Sequence, residues 1–147
     1  MHIQNKKILL LIFFFSFCRY TSFALEGLNF ETITNKNGLS HNTVRHIMQD
    51  SRGFMWFSTI NGLNRYDGYK FTSLQPSFEK NSLSENNIRK TIEDKNGHIW
   101  VQTTSRFIHC YDTNTESFID FTQKDEIKQF NRIEVIPNGN VWLWGGN

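Results

Sequence analysis

Cysteine and proline are scarce in this sequence. Two cysteines, Cys18 and Cys110, and two prolines occur among 147 residues. So few cysteines exclude a disulfide-stapled scaffold. Once an N-terminal export segment is removed, Cys110 is left alone, and a lone thiol reads as a small buried hydrophobe. An excess of one charge is also missing. Of the 16 Lys and Arg, Lys6, Lys7 and Arg19 lie near the N-terminus, which leaves 13 against 14 Asp and Glu. Nothing here forms the basic stripe of a nucleic-acid binder. There is no nucleophile elbow, no phosphate loop and no His-Glu-x-x-His motif. Helical spacing is not sustained anywhere, and no low-complexity tail is present. The longest apolar run, "ILLLIFFFSFC", has 11 residues. That is well short of the roughly 20 needed to span a bilayer.

That run reads as the centre of an export signal over residues 1–24. Lys6 and Lys7 form its positive head. Ser22 and Ala24 occupy the small-residue positions of a cleavage site, which predicts Leu25 as the mature N-terminus. An uncleaved anchor is the competing reading, but Arg19 interrupts any extension of the run. Bulky Phe17 before Cys18 argues against a lipoprotein. The predicted fate is export.

What the sequence does have is aromatics, with 14 Phe, 4 Trp and 4 Tyr. They fall in a repeat, which is the first thing to test in any chain. "DSRGFMWFSTINGLNRYDG" at residues 50–68 returns as "DKNGHIWVQTTSRFIHCYDT" and begins a third time as "PNGNVWLWGGN". Leu39-Ser40 recurs as Leu83-Ser84, and Asn42 as Asn86. Val44 recurs as Ile88, and Ile133 follows. Asp50 recurs as Asp94. Gly53 recurs as Gly97 and Gly139, Trp56 as Trp100 and Trp142, and Tyr66-Asp67 as Tyr111-Asp112.

Each unit reads as four strands. "TVRHIMQD" is the first, followed by an Asp-x-x-Gly turn in which Asp accepts local backbone hydrogen bonds and Gly takes positive φ. "FMWFST" and "HIWVQT" complete hairpins, "LNRYDG" and "IHCYDT" make third strands, and "YKFTSL" and "ESFIDF" make fourth strands. "NFETI", residues 29–33, looks like a fourth strand with no predecessor. Four strands in about 44 residues is the size of one propeller blade. The expected architecture is all-β, an incomplete propeller of four-stranded antiparallel blades. Residues 25–38 would hold a leading strand, 39–82 repeat 1, 83–129 repeat 2 and 130–147 the start of repeat 3. The repeated Trp56, Trp100 and Trp142 are expected to fill the space between blades. A ring takes about four to eight blades. Two and a beginning suggest a piece of a larger protein, one that by itself would leave an open edge.

These residues resemble the two-component regulator propeller repeat. The carriers are Leu39-Ser40, Val44, Ile47, Asp50, Gly53, Met55-Trp56, Thr59, Gly62-Leu63 and Arg65-Tyr66-Asp67. The second unit keeps Leu83-Ser84, Ile88, Ile92, Asp94, Gly97, Ile99-Trp100, Thr103 and Tyr111-Asp112. It departs at the Gly-Leu step, where Arg106-Phe107-Ile108 stands with one extra residue and a reshaped turn is expected. The similarity covers roughly residues 28 to 147. The resemblance implies the N-terminal piece of the periplasmic sensor region of a Bacteroidetes-type hybrid two-component system. The whole protein would be a membrane-anchored histidine kinase, a homodimer, responding to an oligosaccharide and inducing polysaccharide-utilisation genes. This segment would be non-catalytic, with no cofactor and no bound nucleic acid. A piece of an exported propeller enzyme of the glycan lyase type, or of a surface adhesion module, shares the same repeats.

Few residues suggest chemistry. His109, Cys110 and Asp112 are metal-ligand types, but strand geometry points His109 to one face and the other two to the opposite face, so no metal site is expected. Asp50, Asp67, Asp94 and Asp112 sit at turns and read as caps. His41 and His46 lie near the first hairpin and read as surface histidines. Trp144 replaces Ser58 and Gln102 of the other units. It is a weak candidate for stacking on a sugar, against the commoner role of packing between blades.

Overall fold

A computed structural model describes residues 30–78, 81–120 and 130–145. The chain divides after Thr32 into two units. Except for Phe30–Thr32, the description below concerns the second unit. Ten strands follow a short 3-10 turn at Asn35–Asn37. In the first repeat they are β1 (Val44–Gln49), β2 (Met55–Thr59), β3 (Gly62–Tyr66) and β4 (Phe71–Leu74). In the second they are β5 (Ile88–Glu93), β6 (His98–Thr103), β7 (Ile108–Asp112) and β8 (Ser117–Phe118). The third begins with β9 (Arg132–Val135) and β10 (Val141–Trp144). Each complete repeat is one four-stranded antiparallel sheet in chain order, and β9 and β10 form a hairpin. Among the described residues the sheets do not close into a ring, so the fold is an incomplete β-propeller.

The repeat is written into register as well as sequence. Trp56, Trp100 and Trp142 pair with Met48, Ile92 and Glu134, each eight residues earlier. A bulge falls between Val44 and His46 and again between Ile88 and Lys90. Register also places Ile133 differently from the sequence comparison. It pairs with Leu143, one residue after Trp142, and so stands where Ile47 and Thr91 stand rather than where Val44 and Ile88 do.

One turn explains the Asp, the Gly and the Trp together. The Asp50 carboxylate accepts the Arg52 and Phe54 N–H groups at 3.0 and 2.9 Å and the buried Trp56 indole N–H at 2.8 Å. Gly53 closes the turn on the Asp50 carbonyl with φ of +91°. Asp94 does the same for Asn96, His98 and Trp100 at 2.8, 3.0 and 2.9 Å. Burial alone would raise the Asp94 carboxyl, but the bonds from Trp100, His98 and Asn96 outweigh it and hold the group below its usual range. In the third repeat Ile136 stands at this position and brings no carboxylate, so the turn is closed by backbone bonds, Gly139 N–H to the Ile136 carbonyl and Ile136 N–H to the Asn140 carbonyl, with Asn138 Oδ1 accepting the Asn140 N–H.

The core lies between the first two sheets. Trp56, Leu63, Met48 and Leu74 of the first face Ile99, Val101, Tyr111 and Phe118 of the second, with Leu83 and Ile88 completing the layer. Trp56 meets Tyr111 edge-on at 5.8 Å. Polar contacts stitch the same joint: Ser58 Oγ to Thr91 Oγ1 at 2.7 Å, Ser51 to the Glu93 carboxylate at 2.7 and 2.8 Å, and Arg65 to Glu116 at 2.9 Å.

Two expected features differ among the described residues. Residues 30–33 form no strand. A strand needs partners for its backbone N–H and C=O groups, and each complete sheet draws its four strands from its own repeat. The three tryptophans also do not fill equivalent spaces. Trp56 is 0% exposed, Trp100 is half-buried beside the third hairpin, and Trp142 is 61% exposed. Trp142 is the least covered of the three. The expected signal segment, residues 1–24, and residues 121–129 of repeat 2 lie outside the described residues. Among the described residues no helix is long and apolar enough to cross a membrane.

Candidate functional site

Most of the singled-out residues serve the repeat itself. Tyr66 stacks on Phe71 at 4.6 Å and donates its hydroxyl to the Gly68 carbonyl at 2.8 Å. Tyr111, its counterpart, lies in the joint under Trp56. Asp67 accepts the Tyr69 and Lys70 N–H groups, both at 2.8 Å, and Asp112 accepts that of Asn114 at 2.8 Å. Gly97 and Gly139 hold φ of +81° and +78° in their turns. His41 accepts the Thr43 N–H within its own loop. The Cys110 thiol is buried, and that burial, with Asp94 and Asp112 nearby, pushes it up to about 12. Such a thiol carries almost no thiolate at neutral pH and is chemically inert. Among the described residues no three potential metal ligands gather.

A second polar link was not visible in the sequence. Ser40 donates its N–H to the Asn64 side-chain oxygen at 2.9 Å, and Asn64 Nδ2 donates back to Ser40 Oγ at 2.8 Å. In the second repeat Ser84 N–H donates to His109 Nε2 at 3.3 Å, with Ser84 Oγ at 3.0 Å. Each pair ties the Leu-Ser segment to the third strand. An accepting Nε2 must be unprotonated, so the contact requires neutral His109. Burial lowers this imidazole below its ordinary range, and the Glu85 carboxylate opposes the shift only partly.

Unfolded His109 protonates near pH 6.5, and the folded residue protonates only below that. Its stabilising contribution is present above about pH 6.5 and is lost as pH falls from there through the folded value. His109→Asn, which installs the residue used at Asn64, is expected to flatten the fall in urea midpoint between about pH 6.5 and 5. A variant that keeps the wild-type slope would contradict this role.

The starts of β1, β5 and β9 carry a different pattern. His46, Lys90 and Arg132 occupy one repeat position, and Arg45 and Arg89 precede two of them. Between the second and third repeats lies a pocket of about 250 Å³. Arg89, Lys90, Arg132 and Gln102 line it, with Arg106 from the β6–β7 turn and Trp144 from the end of β10. Lys90 Nζ meets the Glu134 carboxylate, also in the lining, at 2.7 Å. Gln102 Nε2 donates to the Asn131 carbonyl. His46 is half-buried. Burial and then Lys90 lower its imidazole below the ordinary range, against Glu134. Trp144 is 40% exposed and occupies the position from which Ser58 and Gln102 reach the following repeat.

The β6–β7 turn is reshaped, as its extra residue predicts. Thr103 N–H bonds the Phe107 carbonyl, Arg106 N–H bonds the Thr103 carbonyl, and Arg106 adopts φ of +72°. The first repeat has Gly62 at this bend with φ of +116°, where an added Cβ would sit 2.8 Å from the Leu74 carbonyl oxygen.

The profile of the two-component regulator propeller family matches residues 38–61 and 82–105. Both matched segments are similar to two-component regulator propeller repeats. The matched segments run from the Leu-Ser link through the Asp-Gly-Trp turn to the end of the second strand in each blade. Among curated proteins there is no match. Among solved structures, the propeller repeats resemble the extracellular domain described as that of the hybrid two component system BT3049 from B. thetaiotaomicron. Identity is 26% and the TM-score 0.65, over 77% of this chain and 17% of that one. The chain thus spans under a fifth of that structure. Two structures of the extracellular domain of BT4673 from the same organism, described once as a one component and once as a hybrid two component system, align more loosely. Both are 19% identical, with TM-scores of 0.39 and 0.40, over 71% and 72% of this chain and 22% of each of theirs.

Proposed function

We propose that this chain is part of the extracytoplasmic sensing propeller of a hybrid two-component system, and that the system detects oligosaccharide fragments to control polysaccharide-utilisation genes. The observation that carries this reading is the combination of two regulator-propeller repeats with a backbone that follows a hybrid-system extracellular domain at a TM-score of 0.65. In this reading the segment binds and transmits. Phosphorylation belongs to a kinase in the whole protein, which is anchored in the inner membrane and acts as a homodimer. A short export signal at residues 1–24 supports delivery to the periplasm.

The test is genetic. A strain lacking the gene is compared with its parent during growth on a panel of single polysaccharides, with transcripts counted in both. The reading predicts that one polysaccharide class loses induction of its utilisation genes in the deletion strain and regains it on complementation. Unchanged induction on every polysaccharide would overturn it.

A further inference from the structure

The pocket between the second and third repeats has a charge pattern that the propeller fold does not require. Arg89, Lys90, Arg106 and Arg132 face one carboxylate, Glu134, and Lys90 already engages that one at 2.7 Å. Among the described residues Arg89, Arg106 and Arg132 are exposed and enter no ion pair. Three uncompensated guanidinium groups at one pocket repel one another, and this concentration stands out in a chain of formal net charge +2.

Arg106 adds a second, independent observation. A bulky residue in the left-handed region costs energy that glycine does not pay. The first repeat uses Gly62 at this bend, whereas here the chain inserts a residue and holds an arginine at φ of +72°. Local strain of this kind concentrates where a side chain is needed for binding. The guanidinium fork matches the planar pair of oxygens of a carboxylate or the oxygens of a sulfate. Trp144 also borders the pocket. A volume of about 250 Å³ lies just below the usual range for small-molecule sites, which suits one charged sugar unit rather than a long chain.

We propose that this pocket binds the carboxylate or sulfate of an acidic oligosaccharide, with Arg106 and Arg132 as the principal anion contacts. The proposal rests on the sensor reading and specifies its ligand class.

The test is calorimetric titration of the purified exported protein with trigalacturonate, a sulfated chondroitin disaccharide, neutral maltotriose and sodium sulfate. At least one acidic sugar is expected to bind about tenfold or more tightly than maltotriose and than inorganic sulfate. Arg106→Gly is the informative variant. It removes the cation and relaxes the bend, so its melting temperature should stay equal or rise while acidic-sugar affinity falls about tenfold. Arg132→Gln should lose affinity similarly. The proposal is overturned if Arg106→Gly leaves acidic-sugar affinity within about twofold of wild type, or if inorganic sulfate binds as tightly as the sugars. Tighter binding of maltotriose would overturn the anionic assignment and leave oligosaccharide sensing standing. Failure of every sugar to bind would remove both.

Discussion

Trp56→Ala is expected to destabilise the protein by about 3–5 kcal/mol, the cost of removing a large aromatic from a closed core. The indole is 0% exposed, lies edge-on to Tyr111 of the next repeat and donates to Asp50 at 2.8 Å. Its removal opens a cavity between two sheets, neither of which can close over it alone. The same change at Trp142, which is 61% exposed, should cost under about 1 kcal/mol, as surface substitutions do. Trp100→Ala should fall between. Urea unfolding of the three variants measures this order. A loss below about 1 kcal/mol at Trp56 would mean that the joint between the repeats is not built around the indole.

Asp50→Ala carries the next largest expected loss, about 3 kcal/mol. The carboxylate serves three donors at once, and hydrogen bonds to a charged group are each worth about 1.5–3 kcal/mol. Two of those donors lie in a turn that water can reach, so they recover part of the loss. The third is the Trp56 indole N–H, which is sealed in the core and would be left without a partner. The loss should therefore depend on Trp56. In a Trp56→Phe background, which has no indole N–H, Asp50→Ala should cost about 1 kcal/mol less than in wild type. A cost that is equal in both backgrounds would confine Asp50 to capping the turn and dissociate it from the core.

Much of this joint was legible in the sequence. Asp50, Gly53 and Trp56 lie within seven residues, and the chemistry that relates the Asp to the Gly is local turn chemistry. Repetition in register then revealed the sheets. The contact from the Asp to the indole is also short-range, but spacing alone does not show that the ring folds back over its own turn. The Ser40–Asn64 and Ser84–His109 links were hidden for a different reason. Their partners lie 24 and 25 residues apart, and the accepting residue changes type, so no identity marks the position. The basic pocket was hidden in the same way. Lys90 and Arg132 share with His46 a place on the first strand of each repeat but not a letter in it. The leading strand and the packing of Trp142 both depend on a neighbour. Alternation at residues 29–33 and an aromatic at Trp142 report what a segment can pair with or bury against, and the neighbour determines whether it does.

The most direct test of this reading is acrylamide quenching of three chains, each keeping one of Trp56, Trp100 and Trp142 and carrying Phe at the other tryptophan positions. If each indole is covered only by the repeat that follows it, quenching should be weakest for Trp56, intermediate for Trp100 and strongest for Trp142. Equal quenching of Trp56 and Trp142 in folded chains would contradict the packing of one repeat against the next.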